Sequence, residues 1–174
     1  MNSKKDLLII TASNGENLKL AEMFLKSAKK FGAKADLLDL TKSDLPLFNP
    51  RTIDKENMPS SLKQLNTQMI SIPRWIICAP EYNGSIPPIL TNAIAWLSIQ
   101  EKDFRNLFNG RPIAIASFSG GGCMELLLSM RIQLTHLGAQ VVGRQLSSNS
   151  NKPASSESID DLLKRLMQME PLNL

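Results

Sequence analysis

Histidine and cysteine are nearly missing from this chain: one imidazole, His136, and two thiols, Cys78 and Cys123, in 174 residues. A single histidine leaves little scope for a histidine-based metal site or a catalytic triad. The two cysteines stand far apart without metal-type spacing, a usage that fits reduced thiols in a reducing cytoplasm. Long apolar runs are lacking as well. Residues 7–10 and 75–79 are far too short to span a bilayer, so no membrane partner is expected. Residues 1–6 carry two lysines, but the apolar stretch behind them is short and breaks at Asn14, unlike a signal peptide. There is no internal repeat, low-complexity tract or composition break, which argues for a single domain across residues 1–174. Two nucleotide fingerprints are also missing. No GxGxxG follows the first apolar run, and no Walker-type GKS or GKT appears anywhere.

What is present suits a globular domain with a substantial core: 174 residues, 43% of them hydrophobic. The formal charge of +4 modestly attracts anions such as phosphates. The lysines do not form a stripe interleaved with aromatics, so no nucleic acid is expected. Lys26, Lys29, Lys30 and Lys34 gather at the end of one amphipathic segment, where a solvated face with cations near a helix C-terminus explains them.

Strand and helix patterns alternate along the chain. Residues 7–12 form a short apolar run, read as a buried strand. Residues 17–31 follow with Leu18, Ala21, Leu25 and Ala28 at helical spacing, stopped by Gly32. Residues 34–40 read as a second strand and residues 41–58 as a Pro- and Asn-rich loop. Pro59 opens a helix carrying Leu62, Leu65, Met69 and Ile72 on one face. The third strand, residues 75–79, is apolar without alternation, as a central parallel strand should be. Pro87 or Pro88 opens a helix with Leu90, Ala93, Ile94 and Leu97 on its inner side. Ile89 and Trp96 are left as an apolar surplus that points to an interface. Residues 112–117 are a fourth strand. A helix with Leu127, Met130, Leu134 and Leu137 then ends at Gly138. Residues 139–142 are a fifth strand, and after a polar loop Ile159, Leu162, Leu163 and Leu166 mark a closing helix. This alternation implies a parallel sheet covered on both faces, with ligands outside the carboxyl ends of the strands.

Three strand-to-helix loops there are candidates for chemistry. The first is Thr11-Ala12-Ser13-Asn14-Gly15-Glu16-Asn17. Free N–H groups and the helix dipole make it a natural phosphate site, with Thr11, Ser13 and Asn17 as side-chain donors. Ser13 and Glu16 also have the spacing of a capping box, so a purely structural role stands beside the functional one. The loop is short, which suits one terminal phosphate better than a pyrophosphate. In the second loop, Pro80-Glu81-Tyr82-Asn83-Gly84-Ser85, Asn83-Gly84 ordinarily signals a hairpin turn, yet a helix follows rather than a strand. Gly84 allows backbone to approach a flat ligand, and Tyr82 supplies an aromatic wall. The third is Ser117-Phe118-Ser119-Gly120-Gly121-Gly122, whose consecutive glycines let backbone pack against a ring or phosphate. Cys123 beyond it reads as a small buried apolar residue rather than an activated thiol.

Together these loops resemble the NADPH-dependent FMN reductase family, the flavodoxin-like quinone and azo-compound reductases. The resemblance lies in Pro80-Glu81-Tyr82-Asn83-Gly84-Ser85-Ile86-Pro87, continuing through Asn92-Ala93-Ile94 and Trp96-Leu97-Ser98. Asp44-Leu45-Pro46-Leu47-Phe48 and Ser117 to Gly122 add to it, and the likeness runs from the first strand to about Leu146. It implies a flavodoxin-like α/β three-layer sandwich, a five-stranded parallel sheet in the order 2-1-3-4-5. It further implies FMN held by Thr11, Ser13, Asn14, Gly15, Asn17, by Pro80, Glu81, Tyr82, Asn83, Gly84, and by Ser117, Ser119, Gly120 and Gly121. NADPH or NADH is the implied electron donor, a small molecule the acceptor, and a homodimer or homotetramer the assembly, with residues 46–48 near the partner's flavin. No side chain is singled out as an acid or base. One departure stands out: the family's first loop reads close to G-S-x-R-x-x-S-x-N, and here there is no arginine, while Gly15 replaces the second serine. Two other readings remain, an electron carrier fed by a protein partner and a binding module that has lost the flavin.

Overall fold

The computed structural model describes residues 5–51, 53, 58–100 and 102–174. The segment at residues 1–4 and part of the Pro- and Asn-rich loop, Thr52 and residues 54–57, lie outside them. In chain order the elements are β1 (Leu7–Thr11), α1 (Glu16–Lys30), β2 (Ala35–Asp39), α2 (Ser60–Ser71), β3 (Arg74–Cys78), α3 (Pro88–Leu97), β4 (Pro112–Phe118), α4 (Met124–His136), β5 (Gln140–Val141), β6 (Leu146–Ser148) and α5 (Ser156–Met167).

All pairings between these strands are parallel, in the order β2-β1-β3-β4-β5 expected of a flavodoxin-like sheet. The edge beyond β4 is shared by two short strands. β5 pairs with Pro112 and Ile113, and β6 pairs with residues 116–118. The stretch read as a polar loop thus contains β6. Its Leu-Ser-Ser sequence has one apolar residue, and Ser148 is buried because its hydroxyl donates to the Ser117 carbonyl at 2.9 Å.

Alternate residues of β1 serve opposite cores. Leu8 and Ile10 pack with α2, α3 and α4, while Leu7 and Ile9 pack with α1 and α5. That two-sided burial explains why the central strands read as unbroken apolar runs. On α1 the buried face is Leu20, Ala21, Phe24 and Ala28, with Leu18 and Leu25 only half-buried. The expected stripe was centred one position too far round. Phe24, fully buried, is the bulky residue that anchors it. Leu90, Ala93, Ile94 and Leu97 of α3 are buried as expected.

Trp96 corrects an expectation. It is covered by the chain's own loop after β2, not left for a partner: its indole N–H donates to the Pro46 carbonyl at 2.7 Å, and Phe48 meets the ring edge-on. Asn92 completes the clamp, accepting from the Phe48 N–H at 2.7 Å and donating to Pro46 at 3.1 Å.

Register decides where the loops emerge. Thr11 lies beside Cys78, and Cys78 beside Ala116, so β1 and β3 end at one level and β4 runs two residues further, to Phe118. The ladder runs one bond further on each side, with Ala12 N–H to Cys78 and Ala79 N–H to Ala116. Three loops therefore leave adjacent strands from a common rim.

Candidate functional site

The first loop is shaped by Thr11. Its buried hydroxyl donates to the Ser13 carbonyl at 2.8 Å and accepts from the Ser13 N–H at 3.4 Å, folding the chain tightly off the strand. The helix cap is Gly15, whose carbonyl accepts from Leu18 and Lys19. This overturns the capping-box reading: a box needs serine at the cap and glutamate three residues on, and Glu16 is instead the first helical residue. Its carboxylate pairs with Lys19 at 2.6 Å, in solvent. The leading amides of α1 sit at the positive end of the helix dipole without intrahelical partners. Asn17 is buried, and its side chain forms two bonds with the Phe118 backbone, both at 2.8 Å: Nδ2–H to the carbonyl, and Phe118 N–H to Oδ1. An asparagine amide here imitates a strand partner across 101 residues of sequence.

In the second loop Tyr82 and Ser85 exchange backbone hydrogen bonds of 3.2 and 3.0 Å. Asn83 and Gly84 lie between them at φ 52° and 67°. Two successive left-handed residues are the mark of a type I′ turn, the Asn-Gly hairpin connection. The turn forms although a helix follows, because a single bridge between Tyr82 and Ser85 is enough to close it. Pro80 is buried, Glu81 half-buried and Tyr82 exposed.

Ser117 in the third loop is fully buried, its hydroxyl donating to the Ala79 carbonyl at 2.7 Å. Ser119 donates to Glu81 at 3.3 Å and accepts from the Gly121 N–H at 3.3 Å. None of Gly120, Gly121 and Gly122 has a left-handed φ. A Cβ would meet nothing within 4 Å at Gly120 or Gly122, and at Gly121 only a Glu81 oxygen at 3.8 Å. The fold itself does not demand glycine at these positions. Cys123, by contrast, is fully buried at φ 58°. Cys78 is buried too, which pushes its thiol well above the ordinary range. Neither thiol is placed for redox work.

A cavity of about 300 Å³ opens where the loops meet. Ser13, Asn14, Gly15 and Asn17 line it from the first loop, Pro80, Glu81 and Tyr82 from the second, and Ser119 and Gly120 from the third. Thr11 and Ser117 are buried, and Asn83, Gly84 and Gly121 are not among its lining residues. Glu16, whose charge the sequence puts close to any bound phosphate, and Phe118 of the third loop line it as well, beyond the residues expected to hold the flavin. Phe118 ends a strand, and only the register shows where its backbone emerges. A roomier groove of about 500 Å³ runs between α1, β2 and α2, away from the three loops. The smaller cavity lies outside the carboxyl ends of the strands and takes in the N-terminus of α1, so it is the better ligand site. Among the described residues no group of three metal-ligating side chains occurs, and no helix is long and apolar enough to cross a membrane.

Comparison with known proteins agrees with this geometry. The family described as NADPH-dependent FMN reductase matches residues 6–152. A quinone reductase of Escherichia coli is 29% identical over 126 residues, covering 68% of this chain and 65% of that protein. An NAD(P)H-dependent FMN reductase of Pseudomonas aeruginosa is 27% identical over 145 residues, covering 80% of this chain and 75% of its own length. The matched part of the chain thus spans just under two thirds of the quinone reductase. Among solved structures, a flavoenzyme NAD(P)H:acceptor oxidoreductase from Paracoccus denitrificans superimposes with a TM-score of 0.76 at 20% identity, covering 95% of this chain and 99% of that one. At that identity the superposition speaks for the fold.

Proposed function

The chain belongs to the NADPH-dependent FMN reductase family, and from that premise we propose that it is a flavin-dependent oxidoreductase, using FMN to pass electrons from NADPH or NADH to a small acceptor such as a quinone, an azo compound or free flavin. One observation carries the reading: three glycine-containing loops leave adjacent strands at their carboxyl ends and face a shared cavity, which the N-terminus of α1 also lines. The donor set fits a flavin phosphate even without the family's arginine. The leading amides of Gly15, Glu16 and Asn17 and the Ser13 hydroxyl hold the phosphate at the positive end of α1. Asn14 closes that side. Pro80, Glu81 and Tyr82 flank the ring on one side, and Ser119 and Gly120 on the other, while Asn83, Gly84 and Gly121 shape the turns just outside the cavity. Thr11 and Ser117 act from beneath, by fixing the backbone that faces the ligand. When bound, the flavin supplies the redox chemistry, hydride acceptance from nicotinamide and electron delivery to the acceptor. The protein's part is to bind, orient and screen from water, and no side chain serves as acid or base.

We place the protein in the cytoplasm, a reading supported by its two free, buried thiols. We also read it as a homodimer. Since Trp96 is covered, support comes from α4 instead, where Met124, Leu128 and Ile132 stand exposed at four-residue spacing as one apolar stripe. Light scattering at micromolar concentration should give a dimer, and Leu128→Lys a folded monomer; a monomeric wild type contradicts the assembly.

The functional test is direct. Purified protein should take up FMN and turn yellow, and NADPH or NADH added without air should bleach it. A yellow protein bleached by neither nicotinamide would be an electron carrier. A protein that takes up no FMN would be a binding module, and the reading would fall.

A further inference from the structure

We propose that Glu81 is a positioning residue: its carboxylate caps α4 from the second loop and so holds the glycine loop in its flavin-receptive shape before any cofactor arrives. The part of this that concerns flavin rests on the functional reading above; the capping part does not.

By its own sequence α4 starts poorly. Its N-cap is Cys123, a left-handed non-glycine residue whose side chain makes no cap hydrogen bond. A thiol lies outside the set that normally caps helices. Three glycines precede it, the residues that lose most conformational freedom on ordering. Local chemistry therefore leaves residues 120–123 to be ordered from outside; Ser147 and Asn149 hold the carbonyls of Gly122 and Gly121, at 2.9 and 3.5 Å, but satisfy none of the leading amides of α4.

The missing acceptor comes from 45 residues away. Glu81 Oε1 accepts the N–H of Leu126, the third residue of α4, at 3.3 Å. That is one of the amides an N-cap side chain ordinarily satisfies, and a negative charge is favoured there by the helix dipole. Glu81 Oε2 accepts the Ser119 hydroxyl at 3.3 Å. Ser119 in turn accepts the Gly121 N–H at 3.3 Å, and its own N–H donates to the Ser148 carbonyl at 3.1 Å. One carboxylate thus grips the glycine loop on both sides, at Ser119 before it and at Leu126 after it. The loop passes close by, since a Cβ on Gly121 would lie 3.8 Å from Oε2. A loop that is already ordered binds without the affinity loss that follows when only a fraction of molecules is competent.

Amide hydrogen exchange on the flavin-free protein, combined with FMN titration, tests the proposal. Glu81→Ala should speed exchange of the amides of residues 120–127 by about fivefold or more, the worth of a typical cap, while amides of β3 and β4 keep their protection. FMN affinity should fall by a comparable factor. Glu81→Gln should restore most of both, because its carbonyl oxygen can still accept from Leu126. If Glu81→Ala weakens FMN while exchange stays unchanged, Glu81 acts on the ligand itself and the proposal is overturned. Faster exchange with unchanged affinity overturns it equally. Should Glu81→Ala fail to fold, Ser119→Ala, which removes one of the two grips, carries the same comparison. A wild type that took up no FMN would sink the functional reading, and the exchange result would still decide the cap.

Discussion

Loops two and three are tied to each other, whereas loop one is shaped mainly by itself. Between the second and third run the Ser117–Ala79 bond, the Ser119–Glu81 bond and the reach of Glu81 to α4. The first folds on the Thr11–Ser13 pair and is hydrogen-bonded to the third through Asn17 and Phe118. The difference matches the two halves of a flavin. A rigid, flat ring needs walls fixed in advance. A phosphate on a flexible chain needs donors in number, and a helix terminus supplies them with little bracing.

Cutting the Asn17 brace between the halves should have the largest effect. Asn17→Ala leaves both Phe118 backbone groups without partners, at about 2–4 kcal/mol in stability, and a fall in Tm of roughly 5–15 °C. Urea and thermal melts check this; a loss under about 1 kcal/mol would mean the loops stand independently. Ser117→Ala should cost less, about 1–2 kcal/mol for one unsatisfied carbonyl, with FMN affinity nearly unchanged because the hydroxyl lies beneath the site. A large affinity loss without a stability loss would place Ser117 on the ligand. Glu16→Gln is the smallest change. It removes a carboxylate near the phosphate and frees Lys19, so FMN should bind about two- to fivefold tighter at low salt, with the gain shrinking as salt rises. Melting should barely move, since Glu16 caps nothing. Weaker FMN binding in Glu16→Gln would show that the carboxylate makes a contact the electrostatic account omits.

The parallel sheet and both cores were legible because buried central strands read as apolar runs and the helices carry 3.6-residue spacing, while the strand order followed from the family resemblance. β6 was not, since one leucine beside two serines carries no period, and its pairing depends on where β4 lies. Likewise the three loops could be named from Gly, Asn and Pro placement, but not their bracing. Asn17 looked like a phosphate donor by position, and only the fold reveals that its amide is engaged with Phe118. Trp96 looked like surplus on α3 because the loop that covers it is distant in sequence. The Asn83–Gly84 turn was read correctly by its chemistry and then discounted because no strand follows it.

On the reading proposed above, flavin is held against the bare backbone of the third loop. Gly120 tests it most directly, because its φ is not left-handed and a side chain there meets nothing within 4 Å. Gly84, at φ 67°, would confound the result with backbone strain. The measurement is a fluorescence titration of FMN into flavin-free wild type and Gly120→Val, with urea melts of both. Gly120→Val should be as stable as wild type, within about 0.5 kcal/mol, with an FMN affinity lower by roughly a hundredfold or more, as overfilling a fitted site by a few kcal/mol requires. An equally stable Gly120→Val protein that binds FMN as wild type does would contradict it.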